Sequence, residues 1–172
     1  MLTLGQVLRR AERLAEAREA LEEALDHHLR LGDNRCAARS SGALGAVLTE
    51  SGERQLAIPM LERSLRFGVD EPLHSLVCFY SIAALYASLS PHAATVLFGV
   101  AEELNDQVQM TMSENTALSR TEFITIVTKA LGEEAFVRAL TEGEAMGAKE
   151  AIAYALELIE QQAEPASLGN RR

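Results

Sequence analysis

Tryptophan is absent from this chain, and aromatic residues together make up only 5 % of its 172 positions. A β-sandwich draws on aromatic and β-branched side chains, so this scarcity argues against that class. Proline (4) and glycine (11) are also few, which excludes a turn-rich architecture and favours long elements. The two cysteines, Cys36 and Cys78, have no CxxC partner, so neither a disulfide framework nor a zinc site is spelled out. Both lie in apolar helical patterns and are expected to be buried free thiols.

Positive charge is in short supply as well. Sixteen Lys and Arg stand against 25 Asp and Glu, giving 16 − 25 = −9. The imbalance is uneven. Residues 1–40 carry seven of each sign, whereas six basic and thirteen acidic residues follow from position 100 onward. Phosphate backbones are held by clustered Lys and Arg, so direct nucleic-acid binding is not expected. A long uninterrupted apolar run is missing too. The longest candidate, PLHSLVCFYSIAALYASL, contains His74 and several serines and lacks flanking basic anchors; it reads as a buried central helix, not a membrane span. The opening MLTLGQVLRRAERL has too short an apolar run, followed by its basic residues, to be a signal peptide. A soluble, cytoplasmic protein is expected.

What the chain does have is apolar content, 48 %, much of it Ala and Leu, and an internal repeat. LGQVL at 4–8 returns as LGAVL at 44–48, and LEEAL at 21–25 returns as LERSL at 61–65. Both offsets are 40 (44 − 4 and 61 − 21). Each unit reads as two antiparallel helices. Thr3 and Gln6 form a candidate capping box for the first helix, which runs to about Arg10. The second helix carries the stripe Leu14, Ala17, Leu21, Ala24 and Leu25 and stops near Leu31-Gly32-Asp33. Asp33 or Asn34 caps a third helix to about Glu50, broken by Ser51-Gly52. A fourth carries Leu56, Met60, Leu61 and Leu65 with Pro59 near its first turn, and ends at Gly68. Asp70 and Pro72 open a fifth helix through about Leu89. Ser90-Pro91 starts a sixth, with Val96, Leu97, Val100, Ala101 and Leu104.

Beyond Leu104 the pattern changes. Residues 105–117 read as a loop with a partial helix. Ser119 with Glu122 is expected to cap a helix carrying Phe123, Ile126, Val127 and Leu131, stopped by Gly132. A short helix begins at Glu133 and Glu134, acids that suit a helix N-terminus; Phe136, Val137 and Leu140 are its expected buried side. Gly147 separates it from a last helix with the stripe Ile152, Ala155, Leu156 and Ile159. The expected organisation is therefore all-α. Three helix-pair repeats occupy about 1–33, 34–69 and 70–104, a helical cap 105–162, and a disordered tail 163–172.

The first two units resemble tetratricopeptide repeats, carried by Leu4, Gly5, Ala17, Leu21 and Ala24, and again by Leu44, Gly45, Ala57, Leu61 and Ser64. In that family a Leu-Gly pair on the first helix lets the second come close. The resemblance implies an antiparallel helix-pair stack, a TPR-like α-solenoid, right-handed in its stacking. A period of 40 is longer than usual there and suits the helical arms of large bacterial regulators. AATVLFGVAEEL (93–104), LGEEAFVRALTEGEAM (131–146) and EAIAYALE (150–157) look like the C-terminal end of such regulators, signal-transduction ATPases that include LuxR-type and AfsR-like transcription factors. The family usually has Trp at Leu140, a basic residue at Glu144, and Ser or Thr at Gly147. The Leu140 swap keeps burial, the Glu144 swap reverses a charge, and Gly147 makes a slightly weaker cap.

No GxxxxGK[ST] and no basic recognition helix occur in the chain; if a parent regulator of the kind the resemblance implies binds ATP or DNA, this chain does not carry those parts, which would belong to linked domains. No cofactor or metal is called for. His27-His28, close to Asp26, lacks the i, i+4 spacing and third ligand of a metal site. His74 and His92 stand apart, and no Ser-His-Asp or Cys-His arrangement emerges. Glu102-Glu103 and Glu133-Glu134 read as solvated faces. An enzyme is therefore not expected. By the resemblance, the first helix of each pair lines a concave partner-binding face, which assigns Gln6, Arg9 and Arg10 in the first unit and Arg39, Thr49 and Glu50 in the second. A protein or peptide partner, or effector sensing, follows. The alternative is a stand-alone repeat protein that binds a peptide or small ligand. The first helix pair has no polar cap before it, which implies further repeats upstream or a homodimer through that end.

Overall fold

The computed structural model describes residues 1–67, 72–108 and 114–163. Among them are nine α-helices and no strand: α1 (Leu2–Arg10), α2 (Leu14–Arg30), α3 (Asn34–Glu50), α4 (Arg54–Phe67), α5 (Pro72–Tyr86), α6 (Pro91–Val108), α7 (Glu114–Leu131), α8 (Glu133–Glu144) and α9 (Ala148–Ala163). Sequential helices pair as α1–α2, α3–α4 and α5–α6, and the pairs stack through α2–α3, α3–α5 and α4–α5. The chain is an all-α, TPR-like helical repeat stack.

The repeated residues explain the pairing. A Cβ added to Gly5 would lie 2.5 Å from Leu21 Cγ, and one added to Gly45 would lie 2.7 Å from Leu61 Cδ2. Each glycine is a notch that takes a leucine of the second helix. Leu21 and Leu61 are fully buried, as are Ala17 and Ala57, and each buried leucine contributes about 2 kcal/mol through apolar area removed from water. The helix ends are built alike. In α1 the Glu12 N–H donates to the Arg9 carbonyl and the Arg13 N–H to Leu8; in α3, Gly52 donates to Thr49 and Glu53 to Leu48. This is the Schellman arrangement, which satisfies carbonyls left open at a helix end. Asp33 caps α3, its carboxylate accepting the Cys36 N–H at 2.9 Å.

Helix α3 is buried from Ser40 through Leu48 with no solvated side. It packs against α1, α2, α4 and α5, and its run of Ser, Gly and Ala residues lets all four approach. At Gly42 it meets Ser64 of α4, which an added Cβ would crowd at 2.6 Å from Oγ, and Cys78 of α5, whose sulfur would lie in ordinary contact. Burial pushes the Cys78 thiol up to about 11.

The closing helices pack differently. Helix α8 lies on α6 through glycine against backbone: a Cβ on Gly99 would overlap the Leu140 carbonyl, and one on Gly143 would overlap the Val96 carbonyl. Helix α9 does not extend the stack. It folds back against α4, α5 and α6, burying Ala151, Ile152, Ala155, Leu158 and Ile159. Glu160 of α9 receives Arg66 of α4 at 2.9 Å.

Several expectations are corrected. Thr3 lies inside α1, which begins at Leu2 with Met1 as an N-cap that makes no side-chain bond, so there is no Thr3–Gln6 capping box. Pro59 sits in the second turn of α4, not the first. Helix α5 ends at Tyr86, short of Leu89, and α7 opens at Glu114, so Ser119 is interior to it. Val137 is 56 % exposed, and the buried positions of α8 are Ala139 and Gly143. Cys36 is only half-buried. The expected loop at 105–117 is helical at 105–108, where α6 continues past Leu104, and at 114–117, where α7 begins. Gly68, Asp70, residues 109–113 and the tail from 164 lie outside the described residues.

Candidate protein-interaction site

Three regions bear on recognition: the face shared by α1 and α3, the exposed side of α1, and a groove beside α4. The first carries the six residues expected to meet a partner. Arg9 and Glu50 are brought together, Nη1 to Oε1 at 2.5 Å, tying the end of α1 to the end of α3. Gln6 and Arg10 are exposed on α1, and Arg39 is half-buried on α3. The Thr49 hydroxyl donates back to the Gly45 carbonyl at 2.8 Å, so its polar atom is engaged within its own helix. The position one repeat after Gln6 is Ala46, which is buried. Of the six residues, Gln6, Arg10 and Glu50 are exposed, and Arg9, Arg39 and Thr49 are half-buried.

The second region is apolar. Leu4 is 48 % exposed and Val7 58 %, while their repeat equivalents Leu44 and Val47 are 4 % and 0 %. Leu44 and Val47 belong to the helix that receives α2. In α1 the same residues stand uncovered beside exposed Met1.

The third is a groove of about 340 Å³ lined by Leu29, Asn34, Ala37, Ala38, Pro59, Glu62, Arg63, Arg66 and Phe67. It lies where the end of α2, the start of α3 and the outer side of α4 meet.

Other polar groups are structural. Arg18 of α2 donates to Glu22 in its own helix and to both carboxylate oxygens of Glu53, at 3.0 and 2.9 Å, across the pair boundary. Arg54 lies over the Tyr86 ring at 4.2 Å and donates to the Leu85 carbonyl. Glu102, read from sequence as part of a solvated face, is instead only 16 % exposed in its side chain. It accepts the Tyr80 hydroxyl at 2.8 Å and pairs with Arg120. Burial, then the bond to Glu102, pushes the Tyr80 hydroxyl up. Beside this network Phe98 stacks on Phe123 with centroids 4.6 Å apart. One charged group thus locks α5, α6 and α7 together. The missed signal was Arg120, one turn before Phe123, the only described cation close enough to neutralise a carboxylate there. His28 Nδ1 lies 3.0 Å from Ser40 Oγ, which gives that histidine a packing role. Among the described residues no group of three His, Cys, Asp or Glu is disposed to hold a metal, and no helix is long and apolar enough to cross a membrane.

The family model of the tetratricopeptide repeat matches residues 1–67, the segment that forms α1 to α4 and less than half of the chain. Repeats of this type are generally protein-binding scaffolds and typically non-catalytic. No curated protein and no solved structure matches the chain significantly.

Proposed function

We propose that the chain is a non-catalytic module for protein–protein interaction, working as the C-terminal arm of a bacterial transcriptional or signalling regulator. In this reading α1 to α6 act as three helix-pair units at about 1–33, 34–69 and 70–104, and α7 to α9 close them. The observation that carries it is the uncovered face of α1. Leu4 and Val7 repeat, 40 residues earlier, the Leu44 and Val47 face that sits buried under a neighbouring helix. A repeat unit of this kind has apolar sides to both neighbours and buries each by stacking. The face is therefore shaped for the second helix of another helix pair, supplied by a linked segment or by a second copy. Gln6, Arg9 and Arg10, on the open side of α1 and at its end, are the polar contacts that such a partner or an effector would meet, with Arg39, Thr49 and Glu50 continuing the surface onto α3. The regulator context rests on the three C-terminal phrases. ATP and DNA functions would belong to the linked domains, and the cytoplasm is the compartment in which such a regulator works.

An antibody raised against this chain tests the reading on lysate from the source cell. The expected result is a polypeptide several-fold heavier than 18.7 kDa. A band at that mass, with the purified chain monomeric and Val7→Asp without effect on any association, would overturn it.

A further inference from the structure

Two ion pairs cross from the first helix pair to the second. Arg9 of α1 meets Glu50 of α3, and Arg18 of α2 meets Glu53, the residue just before α4. Both acids belong to the receiving pair. Forty residues earlier the same positions (50 − 40 and 53 − 40) hold Arg10 and Arg13. The charges are thus reversed on the one pair whose own receiving face, Leu4 and Val7, stands open. We propose that the α1 end is the seat of a helix pair carrying acids where the first pair carries Arg9 and Arg18, and that it turns away a pair charged like itself. This rests on the reading of the α1 face as made for another helix pair. Of the two sources named there, the charges favour the linked segment over a second copy.

Arg13 is poorly placed for its own helix. It is the N-cap residue of α2 and its side chain makes no cap bond. A cation there opposes the positive end of the helix dipole, whereas an acid such as Glu53, just before α4, suits it. Arg13 is bonded to Glu16 in the first turn of α2. Arg18 is likewise bonded to Glu22 in its own helix and still takes Glu53 across the seam. An in-helix partner therefore leaves an arginine able to serve an incoming acid. Arg10, the counterpart of Glu50, is exposed at the end of α1. A copy of the first pair stacked on this end would bring Arg9 and Arg18 against Arg10 and Arg13. Like charge would then face like, and such juxtaposition rejects wrong partners. The incoming second helix also needs a small-residue side. Helix α2 shows its form, with Ala20 and Ala24 buried on the i, i+4 row that ends at His28, which meets Ser40 of α3.

The test uses the full chain and two fluorescein-labelled peptides of residues 14–30, followed by anisotropy. Both are stapled between positions 19 and 23, which are exposed in α2, to hold the helix. One keeps Arg18 and the other carries Arg18→Glu. The expected result is saturable binding in which the Arg18→Glu peptide is preferred about fivefold by the parent chain. On the Arg13→Glu chain the preference reverses. Val7→Asp in the chain weakens both peptides about tenfold. The two chain variants alter exposed side chains, and circular dichroism confirms that they fold. Absence of saturable binding would overturn the proposal. So would binding indifferent to Val7→Asp, since the peptide would then be displacing the resident α2. Equal affinity for the two peptides on both chains would overturn it as well. Self-association of the chain that Val7→Asp abolishes would put a second copy on the seat, with the same consequence. Loss of the charge preference defeats this proposal alone, since the regulator reading is tested by the native mass.

Discussion

The first helix pair and the second share one pattern at an offset of 40 residues, yet they differ in what they hide. Their internal seams agree. Gly5 takes Leu21 as Gly45 takes Leu61, and Ala17 and Ala57 are equally buried. Their outer faces do not agree, for Leu4 and Val7 are open where Leu44 and Val47 are closed. The 40-residue pattern therefore determines the shape of a pair, and the neighbour determines its burial. An apolar residue in such a repeat is evidence of a face made for stacking, whether or not something is stacked on it in this chain.

Val47→Asp and Val7→Asp break the comparison most sharply. The first places an unpaired carboxylate at a fully buried site and is expected to cost about 4 kcal/mol of unfolding free energy. The second changes a surface position and is expected to stay within about 0.5 kcal/mol. Urea denaturation of both variants measures the difference. Comparable losses would mean that α1 is covered in solution by another copy.

Gly45→Ala and Gly5→Ala come next. Each added methyl would lie within 2.7 Å of a leucine that fills the notch, so Leu61 or Leu21 must shift. Overpacking of this kind costs about 1–3 kcal/mol. The loss should be larger at Gly45, where α3 is held by four neighbouring helices and Leu61 has nowhere to retreat, than at Gly5, where α1 has one open side. Thermal melts that show equal losses would contradict the idea that the end pair yields more easily than the middle pair.

Those glycines also mark how much was legible beforehand. Helix periodicity and the Leu-Gly pairs gave the first four helices to within a residue or two, because a notch and its leucine repeat in register. The α6–α8 contact was not legible, although it rests on the same device. Gly99 and Gly143 occur once each, in helices without a repeated partner. A glycine inside a helix, about 1 kcal/mol worse than alanine, was the available signal of backbone approach. The burial of α3 on every side was hidden for another reason: Ser40, Ser41 and the alanines count as polar or neutral in a periodicity, while their small size is what lets four helices close around them. The Arg9–Glu50 pair joins two residues of the expected partner face, and nothing in their spacing of 41 residues marks them as partners. The turn of α9 back onto α4 depends on the geometry of α7 and α8, which no stripe of Ile and Ala encodes.

The helix-end turns sharpen the comparison at a smaller scale. Glu12 and Gly52 occupy the same place in two Schellman turns, at φ +60 and +75. That region disfavours a side chain by about 1 kcal/mol, while glycine enters it freely. Glu12→Gly should therefore stabilise the first pair by about 0.5–1 kcal/mol, and Gly52→Ala should destabilise the second by about 1 kcal/mol. Opposite signs in paired denaturation curves are the expected result. The same sign in both would mean that the two turns are not equivalent.

The smallest effect concerns how the two pairs begin. Helix α1 starts at Met1 with no side-chain cap, while α3 starts at Asp33, whose carboxylate accepts the Cys36 N–H. That bond, first among its causes, holds the Asp33 carboxyl below the ordinary carboxylate range. A group whose pKa is lower folded than unfolded adds stability above its unfolded value and loses it as pH falls through the folded one. The contribution of Asp33 should thus be complete above about pH 4 and fade on further acidification. Asp33→Asn keeps a competent cap without the charge. The stability gap between parent and variant should narrow as pH drops from 5 to about 2.5, by amide exchange at the start of α3 or by melts at each pH. A gap that stays constant would show that the carboxylate acts at α3 only as a neutral acceptor would, and that the two pairs do not differ in acid response at their first turns.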